Sequence, residues 1–80
     1  MQKIILRLSE LCVGNQGVII STGHMQNKLE RLGILSGAVI ECLFHGPFED
    51  PGAYYVCGTV IAIRQSDAKD IFIKGVTDID

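Results

Sequence analysis

The sequence predicts a mainly β fold: a small barrel of about five short strands with one short α-helix inserted early. Three observations predict it. β-branched and aromatic residues gather in short runs bounded by glycine and proline, at Gly17 to Ile20, Val39 to Phe44, Ala53 to Cys57, Val60 to Arg64 and Ile71 to Ile73. A single stripe has helical spacing, with Met25, Leu29 and Leu32 at i, i+4 and i+7 and Gly33 behind them. Gly58-Thr59 joins two of the apolar runs tightly, which is a hairpin signal. Closure into a barrel is expected because it removes exposed strand edges.

Taken in order, Ile4-Ile5-Leu6 is a short edge strand or an ordered N-terminal arm, and Leu8-Ser9-Glu10-Leu11 reads as one helical turn before Gly14. Gly17 to Thr22 is the first full strand. Ser21 or Thr22 is placed to cap the helix that follows, and Gly33 sits where a left-handed residue ends one. That helix is about two turns long, so it depends on tertiary packing. After a turn at Ser36-Gly37, alternation puts Ile40, Cys42 and Phe44 on one side of a strand and Glu41 in water. Gly46 to Gly52 is a loop with two prolines. In the hairpin, Tyr54 and Val56 share a face, as do Ile61 and Ile63. Ser66-Asp67-Ala68 is a helical turn, and Ile71-Phe72-Ile73 is the last strand.

Eighty residues make one domain, spanning 1–80, with 1–7 an N-terminal arm and 76–80 the frayed end of an acidic tail. The chain has no apolar run near the ~20 residues of a membrane span and no signal-like start, so a cytoplasmic protein with no direct membrane insertion is expected. Its formal charge is −2, and its seven basic residues are scattered, which argues against nucleic-acid binding. Cys12, Cys42 and Cys57 are odd in number and contain no Cys-x-x-Cys, so reduced thiols are expected.

No nucleophile–base pairing and no Gly-x-x-x-x-Gly-Lys phosphate loop is present, so catalysis is not expected. His24 and His45 stand singly and are read as solvent-facing, and Cys42 as a small buried hydrophobe. No metal ligands and no required cofactor are assigned; weak Fe2+ or Zn2+ binding is the most that scattered imidazoles and thiols support. The candidate surface is instead a contact surface. Pro47, Phe48, Asp50 and Pro51 form a loop that is either a rigid turn, with Asp50 accepting from nearby backbone N–H groups, or an apolar contact with Phe48 at its tip. Tyr55 joins it if Tyr54 points inward with Val56. Lys28 and Arg31 lie on the outer face of the helix, where they are solvated or meet an acidic partner.

In these residues the chain resembles the FeoA family. The resemblance runs from Leu8 to Ile73: Leu8-Ser9-Glu10-Leu11 before Gly14 and Gly17, then Leu29-x-x-Leu32-Gly33-Ile34-x-x-Gly37-x-x-Ile40, Pro47 with Asp50-Pro51, Val56-x-Gly58, Ile61-Ala62-Ile63-Arg64 and Asp67-Ala68. It implies an SH3-like barrel with an inserted helix and a non-enzymatic role in bacterial ferrous iron uptake, exerted by binding an FeoB-type transporter at its cytosolic GTPase region. Such a protein would be cytoplasmic, recruited to the inner face of the membrane by its partner. Cys12 and Cys57 depart from the polar or basic side chains the family leads one to expect. A second relative is the SH3-like C-terminal domain of DtxR-type repressors, disfavoured because this sequence shows no winged helix-turn-helix ahead of it. Two other functions fit a domain of this kind: a generic SH3-like peptide-binding module, for which two Tyr, three Phe and no Trp are a thin aromatic supply, and a weak transition-metal sensor or chaperone.

Overall fold

The computed structural model describes residues 2–77. Six strands form one antiparallel sheet: β1 (Gln2–Arg7), β2 (Gln16–Ser21), β3 (Val39–His45), β4 (Gly52–Val56), β5 (Thr59–Ile63) and β6 (Phe72–Thr77). Their spatial order is β1-β6-β2-β3-β4-β5. Two short helices, α1 (Gln26–Arg31) and α2 (Gln65–Ala68), and 3-10 turns at Leu8–Glu10, Gly23–Met25 and Pro47–Glu49 fill the connections. The fold is mainly β with the helix inserted between β2 and β3, as expected. Two details differ. There are six strands rather than about five, and the sheet is not closed: β1 and β5 are its two ends, and no ladder joins them among the described residues.

The N-terminal segment is an edge strand, since all six residues of β1 pair with β6, from Gln2 opposite Thr77 to Arg7 opposite Phe72. The last strand therefore runs past Ile73 into the segment read as a tail, of which 78–80 lie outside the described residues. Apolar side chains on the sheet's inner face pack with the helical segments around fully buried Tyr54, Ile40, Ile73 and Leu29.

The helical stripe needs one correction. Met25 and Leu29 are buried, but Leu32 is 52% exposed. The helix stops at Arg31, so the 100° step no longer carries the i+7 position inward. Gly33 takes the left-handed conformation (φ 79°); its N–H donates to the Glu30 carbonyl and that of Ile34 donates to Leu29, both at 2.9 Å. This is a Schellman ending, which brings the residue after the glycine onto the last buried leucine, so Ile34 takes the core place expected of Leu32.

The helix start also differs from expectation. Thr22 makes no capping hydrogen bond, and Ser21 only a long one, accepting from the Gly23 N–H at 3.4 Å. The strong acceptor is remote in sequence: the Asp70 carboxylate takes the His24 N–H at 2.7 Å.

A third correction concerns Phe44. Cys42 opposes Tyr54 and Phe44 opposes Ala53, so Leu43 is an extra residue in β3. One added residue reverses the alternation beyond it. Cys42 stays inside, and Phe44 turns out, 57% exposed.

Candidate partner-binding site

The sheet's outer face can be traced through the ladders. Tyr55 lies opposite Glu41 on β3 and Val60 on β5, while Tyr54 and Val56 on either side of it are fully buried. Two residues back along β4, Ala53 shares Tyr55's side of the sheet, and Phe44 opposes it. Phe44, Tyr55 and Val60 therefore form an exposed apolar patch spanning β3, β4 and β5. Farther along, Val39 opposes Val18, which opposes Lys74, and that residue opposes Ile5. Val39, Val18 and Ile5 are exposed too, so apolar side chains recur across the whole outer face. Residues of this kind are normally buried when clustered, and clusters left in water mark contact surfaces.

The loop after β3 adds the most accessible group. Phe48 is completely exposed, at 102% of its reference area, and has a left-handed backbone (φ 58°, ψ 26°) inside the Pro47–Glu49 turn. A bulky residue gains nothing there from burial and bears a steric cost of roughly 1–2 kcal/mol. The loop is held at both ends. The Gly46 N–H donates to the Pro51 carbonyl at 2.8 Å, and the Asp50 N–H to the Pro47 carbonyl at 3.2 Å. The Asp50 carboxylate accepts from the Gln65 N–H at 3.0 Å, anchoring the loop to the start of α2. The Asp50–Pro51 bond is cis. The hydrogen bonds make the loop an anchored turn with Asp50 accepting from a backbone N–H, as in the first reading of it, and Phe48 stands exposed on that turn.

Lys28 and Arg31 are exposed on α1, a separate element from the Pro47–Pro51 loop. Beside α1 an open groove of about 250 Å3 runs between the end of β2 and Ile34-Leu35-Ser36, with Gln26 and Glu30 on its rim. Neither Lys28 nor Arg31 lines it.

His24 faces solvent, as expected, but its ring is paired, whereas His45 departs from the solvent-facing expectation. His24 has an exposed ring clamped between two carboxylates: Nδ1 is 2.6 Å from Asp70 Oδ2 and Nε2 is 2.9 Å from Asp67 Oδ1. These bonds, to Asp67 first and Asp70 second, raise its pKa above 6.5. The backbone and ring bonds from His24 hold the Asp70 carboxyl below its ordinary range. The ring nitrogens point in opposite directions, so the two carboxylates flank the ring and do not converge on one point. His45 is half-buried, with Nδ1 enclosed and unpartnered and Nε2 3.6 Å from Cys42 Sγ. Cys42 is fully buried, as expected, and burial pushes its thiol up. The Tyr54 hydroxyl is likewise enclosed without a partner, and burial, with Cys42 beside it, pushes it up to about 12. Among the described residues no group of three or more His, Cys, Asp or Glu side chains is arranged to hold a metal ion.

Phe44 and the His24 clamp are the features sequence reasoning missed. A bulge leaves no local signal at Phe44, and the clamp joins residues 43 and 46 positions apart.

The chain is thus a small, mainly β domain of six strands with one helix inserted between β2 and β3 and an exposed apolar patch on its outer face. The chain belongs to the FeoA family: the family model of the FeoA domain matches residues 6–75. Among solved structures, it is similar to an iron uptake regulatory protein (FeoA) at 26% identity and a TM-score of 0.79, covering 91% of this chain and 99% of that one. A FeoA-like protein from Clostridium acetobutylicum matches at 25% identity and a TM-score of 0.83, covering 100% of this chain and 95% of that one. The FeoA of Stenotrophomonas maltophilia, solved with zinc and described as an SH3 domain protein and candidate ferrous iron transport activating factor, matches at 27% identity and a TM-score of 0.73, covering 85% and 88%. No curated protein matches the chain. Among the described residues, no helix is long and apolar enough to cross a membrane.

Proposed function

We propose that this chain is a non-enzymatic, cytoplasmic accessory protein of ferrous iron uptake that docks on the cytosolic GTPase region of an FeoB-type transporter. Family membership supports the transport role, as does the Stenotrophomonas relative's description as a candidate activating factor. The observation that carries the docking surface is Phe48, fully exposed at a left-handed backbone position on an anchored loop. Local strain retained at an exposed aromatic marks a group kept for contact rather than for folding. Phe44 and Tyr55 extend that contact onto the sheet; Lys28 and Arg31 stand apart from it on α1 and contribute charge that steers association with an acidic partner rather than contacts within the patch.

Iron is the transporter's cargo in this role, and the accessory chain requires no resident cofactor; any Fe2+ or Zn2+ it holds itself is held weakly. It acts by binding one conformation of the transporter more tightly than another, because only differential affinity shifts such an equilibrium. The test is the affinity of Phe48→Ala and Tyr55→Ala for the purified GTPase region. Removal of a central aromatic anchor should weaken binding at least tenfold, about 1.4 kcal/mol, with the fold intact. Unchanged affinity of a folded Phe48→Ala protein would remove the loop from the interface.

A further inference from the structure

The two ends of the sheet differ. β1 carries Arg7, the kind of charge that discourages other chains from adding to an edge. β5 reads Thr-Val-Ile-Ala-Ile, with no charge and no proline, and its five residues pair with β4 without a break in register. The hairpin turn is Cys57-Gly58, with φ of 51° and 76°, a two-residue loop of the I′ kind. Such a loop makes Val56 and Thr59 a hydrogen-bonded pair. By alternation, Ile61 and Ile63 also bond to β4, and the N–H and C=O of Val60 and Ala62 point outward along the free edge. The side chains of Thr59, Val60 and Ala62 are exposed, β5 ends the sheet, and among the described residues no other element bonds to the backbone of Val60 or Ala62.

We propose that the outer edge of β5 pairs antiparallel with β5 of a second copy of this chain, about a two-fold axis at Ile61. In that register Val60 opposes Ala62 of the second copy and Ala62 opposes its Val60. Each is a hydrogen-bonded pair, so all four outward N–H and C=O pairs of the two copies become partnered. Ile61, half-buried at the inner side, opposes its own counterpart. Every opposed pair is apolar, except that Thr59 meets Ile63. Arg64, the first charged residue beyond β5, falls opposite Gly58, so no like charges meet. An identical edge is self-complementary under two-fold symmetry, and this one lacks the charge that would forbid the pairing. The Tyr55 and Val60 patches of both copies then lie on one continuous outer face, and the pairing stands whether or not the proposed docking partner is correct.

The experiment is sedimentation velocity on the full chain from ~1 μM to ~1 mM, a range suited to the small interface of a single strand pair. Alongside it, amide exchange is measured by NMR at the two extremes. A reversible dimer is expected, with Val60 and Ala62 amides slowing on dimerisation while those of Ile61 and Ile63 are protected throughout. Val60→Lys/Ala62→Lys should raise the dissociation constant at least tenfold, as should Val60→Glu/Ala62→Glu, and mixing the two should restore association. A monomer at every concentration would overturn the proposal, as would a dimer indifferent to both double variants.

Discussion

His24 and Asp70 are joined twice through one oxygen: the His24 backbone N–H donates to Asp70 Oδ2 at 2.7 Å, and ring Nδ1 lies 2.6 Å from the same atom. With Asp67 on the other ring nitrogen, this ties the start of the α1 region to the segment that includes α2. The clamp needs a protonated imidazole and an ionised carboxylate. His24 has its pKa raised, so its contribution is fully present below 6.5 and is lost as pH rises through the folded value. Asp70 has its pKa lowered, so its contribution is present above 3.8 and is lost as pH falls through the folded value. The stabilisation is therefore greatest between those two ordinary values. Thermal melts from pH 3 to 9 should show the wild type's advantage over His24→Gln shrinking toward alkaline pH; parallel pH profiles would show that the clamp contributes nothing.

Gly23 lies against the same carboxylate with φ 52°, and a Cβ there would collide with the Asp70 side chain and carbonyl oxygen. Gly23→Ala should lower stability by roughly 1–3 kcal/mol, combining left-handed strain with displacement of the clamp. Urea unfolding measures it. A neutral result would mean that the Asp70 segment moves aside freely.

Phe48→Gly separates folding from function. Glycine relieves the left-handed backbone, so stability should stay the same or rise by about 0.5–1 kcal/mol, while affinity for the transporter's GTPase region falls. Stability and affinity falling together would instead make Phe48 a structural residue.

Tyr54 is fully buried with its hydroxyl unpartnered. Tyr54→Phe removes an unsatisfied polar group while keeping the ring, so it should be neutral or stabilising by about 1 kcal/mol. A clear loss in denaturant titration would show that the hydroxyl has a partner such as an enclosed water.

Leu29 and Leu32, three residues apart, should respond very differently. Leu29→Ala opens a core cavity and should cost roughly 2–5 kcal/mol, enough to threaten an 80-residue domain. Leu32→Ala should stay within about 0.5 kcal/mol. Comparable losses at both positions would contradict the Schellman ending that puts Ile34 in place of Leu32.

These contrasts show where sequence patterns carry information. The β class, the inserted helix, the inward Tyr54 and the outward Tyr55 follow from period-two alternation and glycine punctuation, which act within a few residues. Gly33 also signalled that the next residue packs back on Leu29, and that signal outranked the helical period at Leu32. Phe44 was lost because a single inserted residue shifts the phase of a strand without changing its composition. The β1–β6 ladder and the His24 clamp were illegible for a different reason: they join segments distant in the chain, and neither partner carries a local mark of the other.

The most direct test of the central claim is an anaerobic NMR titration of the isotope-labelled chain with the purified cytosolic GTPase region of its FeoB-type transporter, nucleotide present. Saturable shifts concentrated at Phe44, the Gly46–Gly52 loop and Tyr55 are the predicted result. No shifts at high partner concentration, or saturable shifts confined to another surface, would contradict docking through this aromatic patch.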